Sequence, residues 1–164
     1  MHRKLYTTSP QRLTKRGFLV SVSLTPFHAV FAAMTASLPT PTSLAEALKV
    51  AVTKQKPLVV MISLAGCGYC KLVRENYLLP MLSRGELVVV QLDMKSNAAL
   101  LDAFGNVSTH DQVIRGWGVR LAPTLLFLGR NGIEVADRLV GMNSADFYGA
   151  MLDERLAIAT RSVR

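Results

Sequence analysis

The chain has 164 residues, of which 50% are hydrophobic and 7% aromatic; this length and composition predict one compact domain and exclude a disordered protein. The formal net charge is +8, but five basic and no acidic residues lie within residues 1–36, so the remainder carries 14 basic against 11 acidic residues. Because that remainder has no basic stripe interleaved with aromatic residues, we predict no nucleic-acid partner.

Residues 1–36 are predicted to form an export signal peptide with an open cleavage site. A basic segment that ends at Arg16 is followed by an apolar run and then by small residues, which is the three-part layout of such signals. The stretch Thr14–Leu19, TKRGFL, is similar to the twin-arginine export motif, but Lys15 replaces its first arginine, so the export route stays open. Export predicts an oxidising compartment, the bacterial periplasm.

An uncleaved membrane anchor and an amphipathic helix on the folded domain are the alternatives for this segment. The apolar run is about as long as a membrane span, although Pro26 and His28 interrupt it. We therefore expect membrane contact only through this segment, and only if it stays uncleaved.

Residues 37–42 are predicted to be an extended linker, since the prolines of LPTPT disfavour helix in the residues before them. Residues 43–164 are predicted to form the domain. Ser43 and Glu46 have the spacing of a capping box and precede an apolar stripe of helical period. They predict a first helix, which Pro57 ends.

The continuous apolar run Leu58–Ser63 has the length of a strand that is buried on both faces, and Glu86–Asp93 is predicted to be a second buried strand. A helix from Tyr69 to Leu79, closed by Pro80, is predicted between them. This strand–helix–strand order predicts a parallel pair.

The next segment contains two predicted helices, one over Ala98–Phe104 and a short one that starts near Ser108 or Thr109, with Asp111 in its first turn. A third strand is predicted over Pro123–Leu128.

The end of the chain predicts a hairpin and a helix. Gly129–Gly132 is a tight turn by composition, and Ile133–Val140 alternates as its hairpin partner. Asn143 or Ser144 can cap a last helix that runs to about Ala159. The elements together predict one α/β domain.

Cys67 and Cys70 are the only cysteines, and they lie between a predicted strand and a predicted helix. Covalent haem attachment requires a histidine where Lys71 stands. A structural zinc site requires four ligands, and His110 is the only histidine after the signal, so we predict no zinc site. A two-coordinate site for copper(I) is not excluded by the number of ligands.

A structural disulfide stabilises little across so short a loop, because the stabilisation grows with loop length. A redox pair explains more, since a helix N-terminus stabilises a thiolate on Cys67. Cys70, one turn later, can attack a mixed disulfide on Cys67. Gly66 and Gly68 permit close approach of a partner's backbone. We predict Cys67 as the nucleophile and Cys70 as the resolving thiol.

Four stretches resemble the thioredoxin family over about residues 43–160. GCGYCK, Gly66–Lys71, resembles its active-site turn, and WGVRLAPTLLFL, Trp117–Leu128, resembles its second signature. GRNGIEV and LVGMNS resemble the hairpin and the glycine that follow. The nearest resemblance is to exported thioredoxin-like proteins, including the thioredoxins of sulfur-oxidation systems.

The resemblance implies an α/β thioredoxin fold, with a central mixed sheet of about four to five strands flanked by helices. It implies that Pro123 is a cis-proline facing the dithiol, whereas local propensity equally permits a trans proline. Ala122 would offer backbone hydrogen bonds to a partner. Gly68 and Tyr69 would contact substrate, although an exposed helix-start residue is an equal interpretation of Tyr69.

The implied activity is thiol–disulfide exchange, with no metal and no cofactor besides the Cys67–Cys70 disulfide. The implied partners are cysteine-containing exported proteins. Resemblance favours a reductant, which would require a membrane electron donor. The rival hypothesis is a non-catalytic binding module on the same fold, such as a copper(I) carrier or an assembly factor.

The sequence departs from the family at three positions next to the cysteines or on the strands beside them. Gly66 replaces a tryptophan, Met61 replaces a buried aspartate, and Gln91 replaces the lysine that partners it. The proton path of Cys70 is therefore open, with water or Lys71 as candidates.

Four other polar or aromatic residues are given structural interpretations. We expect His110 in a surface loop, Arg74 and Glu75 on the helix surface, and Trp117 as an anchor in the core.

Overall fold

The computed structural model describes residues 37–142 and 144–164. The predicted export signal and Asn143, one of the two predicted helix caps, lie outside the described residues. No helix in the described part of the chain is both long enough and apolar enough to cross a membrane.

The secondary structure follows the predicted order with one added hairpin. The helices are α1 (Leu44–Thr53), α2 (Gly68–Val73), α3 (Leu79–Ser83), α4 (His110–Gly116) and α5 (Ala145–Val163). The strands are β1 (Leu58–Ser63), β2 (Val88–Asp93), β3 (Ala99–Leu101), β4 (Val107–Thr109), β5 (Thr124–Leu128) and β6 (Glu134–Val140).

The central sheet is mixed and has the strand order β2-β1-β5-β6. β1 pairs with β2 in parallel and with β5 antiparallel, and β6 completes an antiparallel pair with β5. The predicted fold class, a four- to five-stranded mixed sheet flanked by helices, is confirmed. β1 is thus an interior strand with a neighbour on each side.

The two faces of the sheet bury different helices. Val59 and Met61 of β1 pack in a cluster with Cys70 and with residues of α5. Val60 and Ile62 point to the other face and pack with residues of α1 and α4. Because side chains alternate along a strand, odd-numbered positions of β1 face the helix that carries the cysteines.

A short hairpin, β3–β4, stands where the sequence predicted a helix over Ala98–Phe104, so that prediction was wrong. Leu100 is buried between two exposed neighbours, and this alternation suits a strand. The Leu101 N–H donates to the Thr42 carbonyl, and Ser43 bridges to Leu101. Pairing with the segment before α1 outweighs local helix propensity.

The active-site helix continues past Pro80, which was predicted to end it. Residues Arg74–Leu78 form a π-helical turn, in which the Leu79 N–H donates to the Arg74 carbonyl five residues earlier. A proline clashes with the carbonyl four residues before it in a regular α-helix. We attribute the continuation to this wider turn, which relieves the clash, so that Pro80 lies in the first turn of α3.

The predicted short helix is α4, and it starts where expected. Thr109 is its N-cap in a capping box with Gln112, and Asp111 lies in its first turn. Ser144 precedes α5 without a side-chain capping bond. Trp117, half-buried, packs against the core as expected.

Residues 37–42, predicted as a linker, form no helix or strand and pack on the domain. Leu38 is buried in the core cluster that contains Cys70. The Pro39 carbonyl accepts a hydrogen bond from the Gln91 N–H at 2.8 Å. This segment therefore covers the outer edge of β2.

Candidate active site

The two cysteines form a disulfide at the junction between β1 and α2, with their Cα atoms 5.2 Å apart. Cys67 is the N-cap of α2, and its Sγ accepts a hydrogen bond from the Cys70 N–H at 3.1 Å. Cys67 is half-buried, whereas Cys70 is only 1% exposed. A partner protein can therefore reach the first sulfur and not the second.

A cis peptide bond joins Ala122 and Pro123 beside this disulfide. The Ala122 carbonyl oxygen lies 3.9 Å from Cys67 Sγ. The Pro123 carbonyl accepts from the Gly141 N–H at 2.7 Å, so it faces the end of the edge strand β6. Among the described residues, the Ala122 N–H has no hydrogen-bond partner, which leaves it available to an extended peptide.

The Ala122 carbonyl brings the start of β5 to Cys67, and Gly68 and Tyr69 lie between the two cysteines in the chain. Gly68 and Tyr69 are exposed on the helix side of the disulfide, and Tyr69 is 61% exposed. Ala122 and Pro123 approach from the start of β5. Leu121, which the sequence did not single out, adds a 53% exposed apolar side chain next to them.

Gly66 stands in the position of the family's tryptophan for a backbone reason. Its φ is +75°, in the left-handed region that glycine adopts without strain. An ideal Cβ there would meet nothing within 4 Å, so the space permits a side chain and the backbone conformation does not.

A cavity of about 710 Å³ opens beside the disulfide. Its lining includes Ser63, Cys70, Gln91 and Asp93, which belong to β1, α2 and β2. In the sheet, β2 and β5 lie on opposite sides of β1. The cavity is therefore built on the β2 side, while Ala122 belongs to the β5 side.

Three side chains form a hydrogen-bonded chain along the cavity. Arg74 Nη1 donates to Gln91 Oε1 at 3.1 Å, and Gln91 Nε2 donates to Asp93 Oδ1 at 2.8 Å. Because arginine only donates and a carboxylate only accepts, the orientation of the Gln91 amide is fixed. Arg74 is half-buried here, and its predicted place on the helix surface was wrong.

The pairing of Met61 with Gln91 that the sequence suggested is confirmed by the register of β1 and β2. Met61 is fully buried and packs in the same cluster as Cys70. A thioether carries no transferable proton, so this position cannot serve Cys70 as an acid would.

His110 is buried, with 2% of its surface exposed, and its predicted place in a surface loop was wrong. Its Nδ1 accepts from the Asp93 N–H at 3.1 Å, and Nε2 has no partner among the described residues. Burial lowers the pKa of His110, and the charge of Asp93 opposes that shift. The imidazole therefore acts as a neutral acceptor that ties α4 to the end of β2.

Asp93 was missed as a candidate residue because its chemistry depends on its neighbours in space. A sequence signal was present, since Asp93 ends the strand parallel to β1, which ends at Ser63. The carboxyl ends of neighbouring parallel strands meet at one edge of a sheet. Within the described residues, no group of three His, Cys, Asp or Glu side chains could hold a metal ion.

The family model of the thioredoxin-like domain matches residues 44–156. The comparison with curated proteins gives no match. Among solved structures, DsbH oxidoreductase is 16% identical with a TM-score of 0.52, covering 77% of this chain and 90% of that one. This likeness shows a shared fold.

Two further solved structures are similar to this chain. Thioredoxin O2 from Arabidopsis thaliana, in the oxidised state, is 22% identical with a TM-score of 0.48, covering 74% of this chain and 97% of that one. The periplasmic thioredoxin SoxS from Paracoccus pantotrophus is 20% identical with a TM-score of 0.43, covering 63% and 99% respectively.

The family match spans more than half of the chain and contains the disulfide motif, the cis peptide bond and the central sheet. The predicted resemblance to thioredoxins is confirmed. The chain therefore belongs to the thioredoxin-like family and is a thiol–disulfide oxidoreductase.

Proposed function

We propose that the protein is exported and reduces disulfides of cysteine-containing partner proteins through a mixed disulfide on Cys67, which Cys70 resolves. The observation that carries this assignment is the difference in exposure between the two sulfurs. Cys67 is half-buried at the helix start, and Cys70 is buried one turn later. Cys67 is therefore the sulfur that can attack a partner's disulfide, and Cys70 is placed to attack the mixed disulfide from within the protein and release the partner.

In the reduced protein, Cys67 is the group that becomes a thiolate. The Cys70 N–H that bonds its sulfur, together with the other N–H groups at the helix start, stabilises the negative charge. The thiolate attacks one sulfur of the partner's disulfide, forms a Cys67–partner bond and expels the other partner sulfur as a thiolate. Cys70 then attacks Cys67 Sγ, and the partner leaves with both of its sulfurs reduced.

The partner's backbone is proposed to lie along Ala122. The N–H of this residue is available, and its carbonyl oxygen faces Cys67 Sγ at 3.9 Å. The exposed side chains of Tyr69 and Leu121 flank this position and offer apolar contact to either side of a partner's cysteine. Gly68 adds no side chain that would obstruct the approach.

Export is supported by the basic, apolar and small-residue order of residues 1–36. Each turnover transfers two electrons from the dithiol to the partner. An exported reductant must recover those electrons across the membrane, so a membrane dithiol donor is part of the proposal.

Copper(I) binding is the second candidate function. Met94 lines the same cavity as both cysteines, and a thioether with two thiolates is a soft ligand set. The metal content of the reduced protein as isolated distinguishes the two candidates. Stoichiometric copper would favour the carrier.

Catalysed reduction of insulin by dithiothreitol tests the enzyme proposal. The wild-type protein is expected to accelerate precipitation of the insulin chains, and Cys67→Ser is expected to lose all acceleration because no nucleophile remains. A folded Cys67→Ser variant that still turns over insulin would contradict the assignment. Lys49→Gln, on the exposed face of α1, is the matched control and should behave as wild type.

A further inference from the structure

The resolving step requires a proton acceptor. The family has a buried aspartate for this role, and Met61 stands in its position here. Cys70 must lose its thiol proton before it attacks the mixed disulfide, because the thiolate is the nucleophile. Its side chain is 1% exposed, and Met61, packed in the same cluster, cannot accept a proton. This inference rests on the proposed function, since it concerns the second half of that exchange.

The ends of β1 and β2 line the same cavity as Cys70. Ser63 and Asp93 are direct partners in the parallel pairing of β1 and β2. Both occupy odd-numbered positions, so they share the sheet face of Met61, which packs with Cys70. The Met94 N–H donates to the Ser63 carbonyl at 2.8 Å and holds the two ends together.

Asp93 is the only carboxylate among the described residues that line this cavity. Gln91 occupies its Oδ1 at 2.8 Å. Its Oδ2 has no hydrogen-bond partner in the described part of the chain. Asp93 and Cys70 both line the cavity, whose volume of about 710 Å³ has room for water.

We propose that Asp93 is the proton acceptor of Cys70, acting through water in the cavity, and that Gln91 and Arg74 are positioning residues that hold its carboxylate. Asp93, at the end of β2, thereby takes the role of the buried aspartate that the family has at the position of Met61. Ser63, whose buried hydroxyl lines the same cavity, is placed to orient the water.

The step balances without a further reactant. The Cys70 S–H proton passes through water to Asp93, and the Cys70 thiolate attacks Cys67 Sγ. The Cys67–Cys70 bond forms as the bond from Cys67 to the partner breaks. The partner leaves as a thiolate and takes up a proton, which Asp93 can return through the cavity or solvent can supply.

Among the described residues, the other charged side chains that line the cavity are basic, so no second carboxylate competes with Asp93 for the proton there. Lys71 on α2, Arg74 in the π-helical turn and Lys95 after β2 line the same space. From α4, His110 contacts the Asp93 N–H, and Asp111 accepts from the Lys95 N–H at 3.0 Å. Asp111 is also paired with Arg115, outside the cavity lining.

Rapid-quench kinetics with a model peptide disulfide test the proposal, because they separate formation of the mixed disulfide from its resolution. Asp93→Asn is expected to slow resolution about 100-fold at pH 7, the low end of what a general base contributes. Formation of the mixed disulfide at Cys67 should stay within about twofold of wild type, since that step does not use the base. Glu75→Gln removes an exposed carboxylate outside the cavity and is the matched control.

The pH profile distinguishes a proton acceptor from a residue that merely supports the fold. Above pH 6.5, His110 stays neutral because burial lowers its pKa. Between pH 6.5 and 8.5, resolution by Asp93→Asn should rise about tenfold per pH unit, because hydroxide must then form the thiolate. Wild type should vary much less, and Asp93→Glu should recover most of its rate and its profile.

Resolution at the wild-type rate in Asp93→Asn would overturn this inference alone. A slowed variant with the wild-type pH profile would overturn it as well. Failure of the wild-type protein to form a mixed disulfide would overturn the proposed function together with it. Asp93→Ser gives the same readout if the Asp93→Asn chain does not fold.

Discussion

Two of the three departures from the thioredoxin pattern, those at Gly66 and Met61, have different physical reasons. Gly66 is required by its left-handed backbone conformation, with φ of +75°. Met61 has no such backbone reason and fills the core with Cys70. The first departure shapes the turn, and the second removes a proton acceptor, so only the second must be compensated elsewhere.

His110 makes the stability of the domain sensitive to acid. Its pKa is lowered by burial, with the charge of Asp93 opposing the shift. Between that lowered pKa and the unfolded value of about 6.5, the unfolded chain binds more protons than the folded one. The stabilisation is therefore complete above about pH 6.5 and is lost as the pH falls below it.

Urea unfolding at pH 7.5 and at pH 5 measures this loss. We expect the free energy of unfolding to fall less in His110→Asn than in wild type, because asparagine keeps an acceptor for the Asp93 N–H and does not titrate. Equal losses in the two proteins would contradict the role given to His110. His2 and His28, outside the described residues, are present in both proteins and cancel in the comparison.

The two reactive cysteines could be predicted from the sequence. The buried histidine and the hydrogen-bonded side chains along the cavity could not. The spacing of Cys67 and Cys70 after an apolar run is a local pattern. The burial of His110 and the Arg74–Gln91–Asp93 chain depend on how α4 and the active-site helix pack against β2. No short stretch of sequence contains that packing.

The active-site helix and the β3–β4 hairpin are the elements that differ most from expectation. The π-helical turn begins at Arg74, the residue that donates to Gln91. Such turns are frequent at functional sites. By relieving the clash at Pro80, this turn keeps the helix continuous and holds Arg74 over the cavity.

The carboxylate of Asp102 stabilises the turn of the β3–β4 hairpin. Asp102 Oδ1 accepts from the N–H groups of Phe104 and Asn106, at 2.8 and 2.9 Å. These bonds, with the Asn106 side chain, lower the pKa of Asp102. We expect Asp102→Ala to open the turn locally, because both donors lose their acceptor.

Hydrogen exchange measures this local opening. The amide of Asp102, which donates to the Asn106 carbonyl, should lose protection in Asp102→Ala, while amides of β1 and β5 keep theirs. Insulin reduction should be unchanged, since the hairpin carries no residue of the proposed exchange. Loss of protection throughout the central sheet would show that the hairpin supports the domain and would contradict a local role.

Long apolar runs predicted the elements of the central sheet, and short ones did not predict the hairpin. β1 and β5 are buried along their full length, so their continuous hydrophobicity is a strong signal. β3 and β4 have three residues each, and Ala99–Leu101 reads equally as a helix turn. Their pairing depends on Thr42 and Ser43, more than fifty residues earlier in the chain.

The two sides of β1 serve different steps of the proposed disulfide exchange. On the β5 side, Ala122 and exposed apolar groups face Cys67 and are available to a partner. On the β2 side, a cavity is lined by both Cys70 and Asp93. The interior position of β1 in the sheet makes this separation of substrate contact and proton transfer possible.

Trapping with the Cys70→Ser chain in the exported fraction of its native cell tests whether Cys67 exchanges disulfides with exported partners. We expect covalent adducts with cysteine-containing exported proteins, joined at Cys67 and released by dithiothreitol, and none with Cys67→Ser/Cys70→Ser. A folded, exported Cys70→Ser protein that forms no adduct through Cys67 would contradict this expectation.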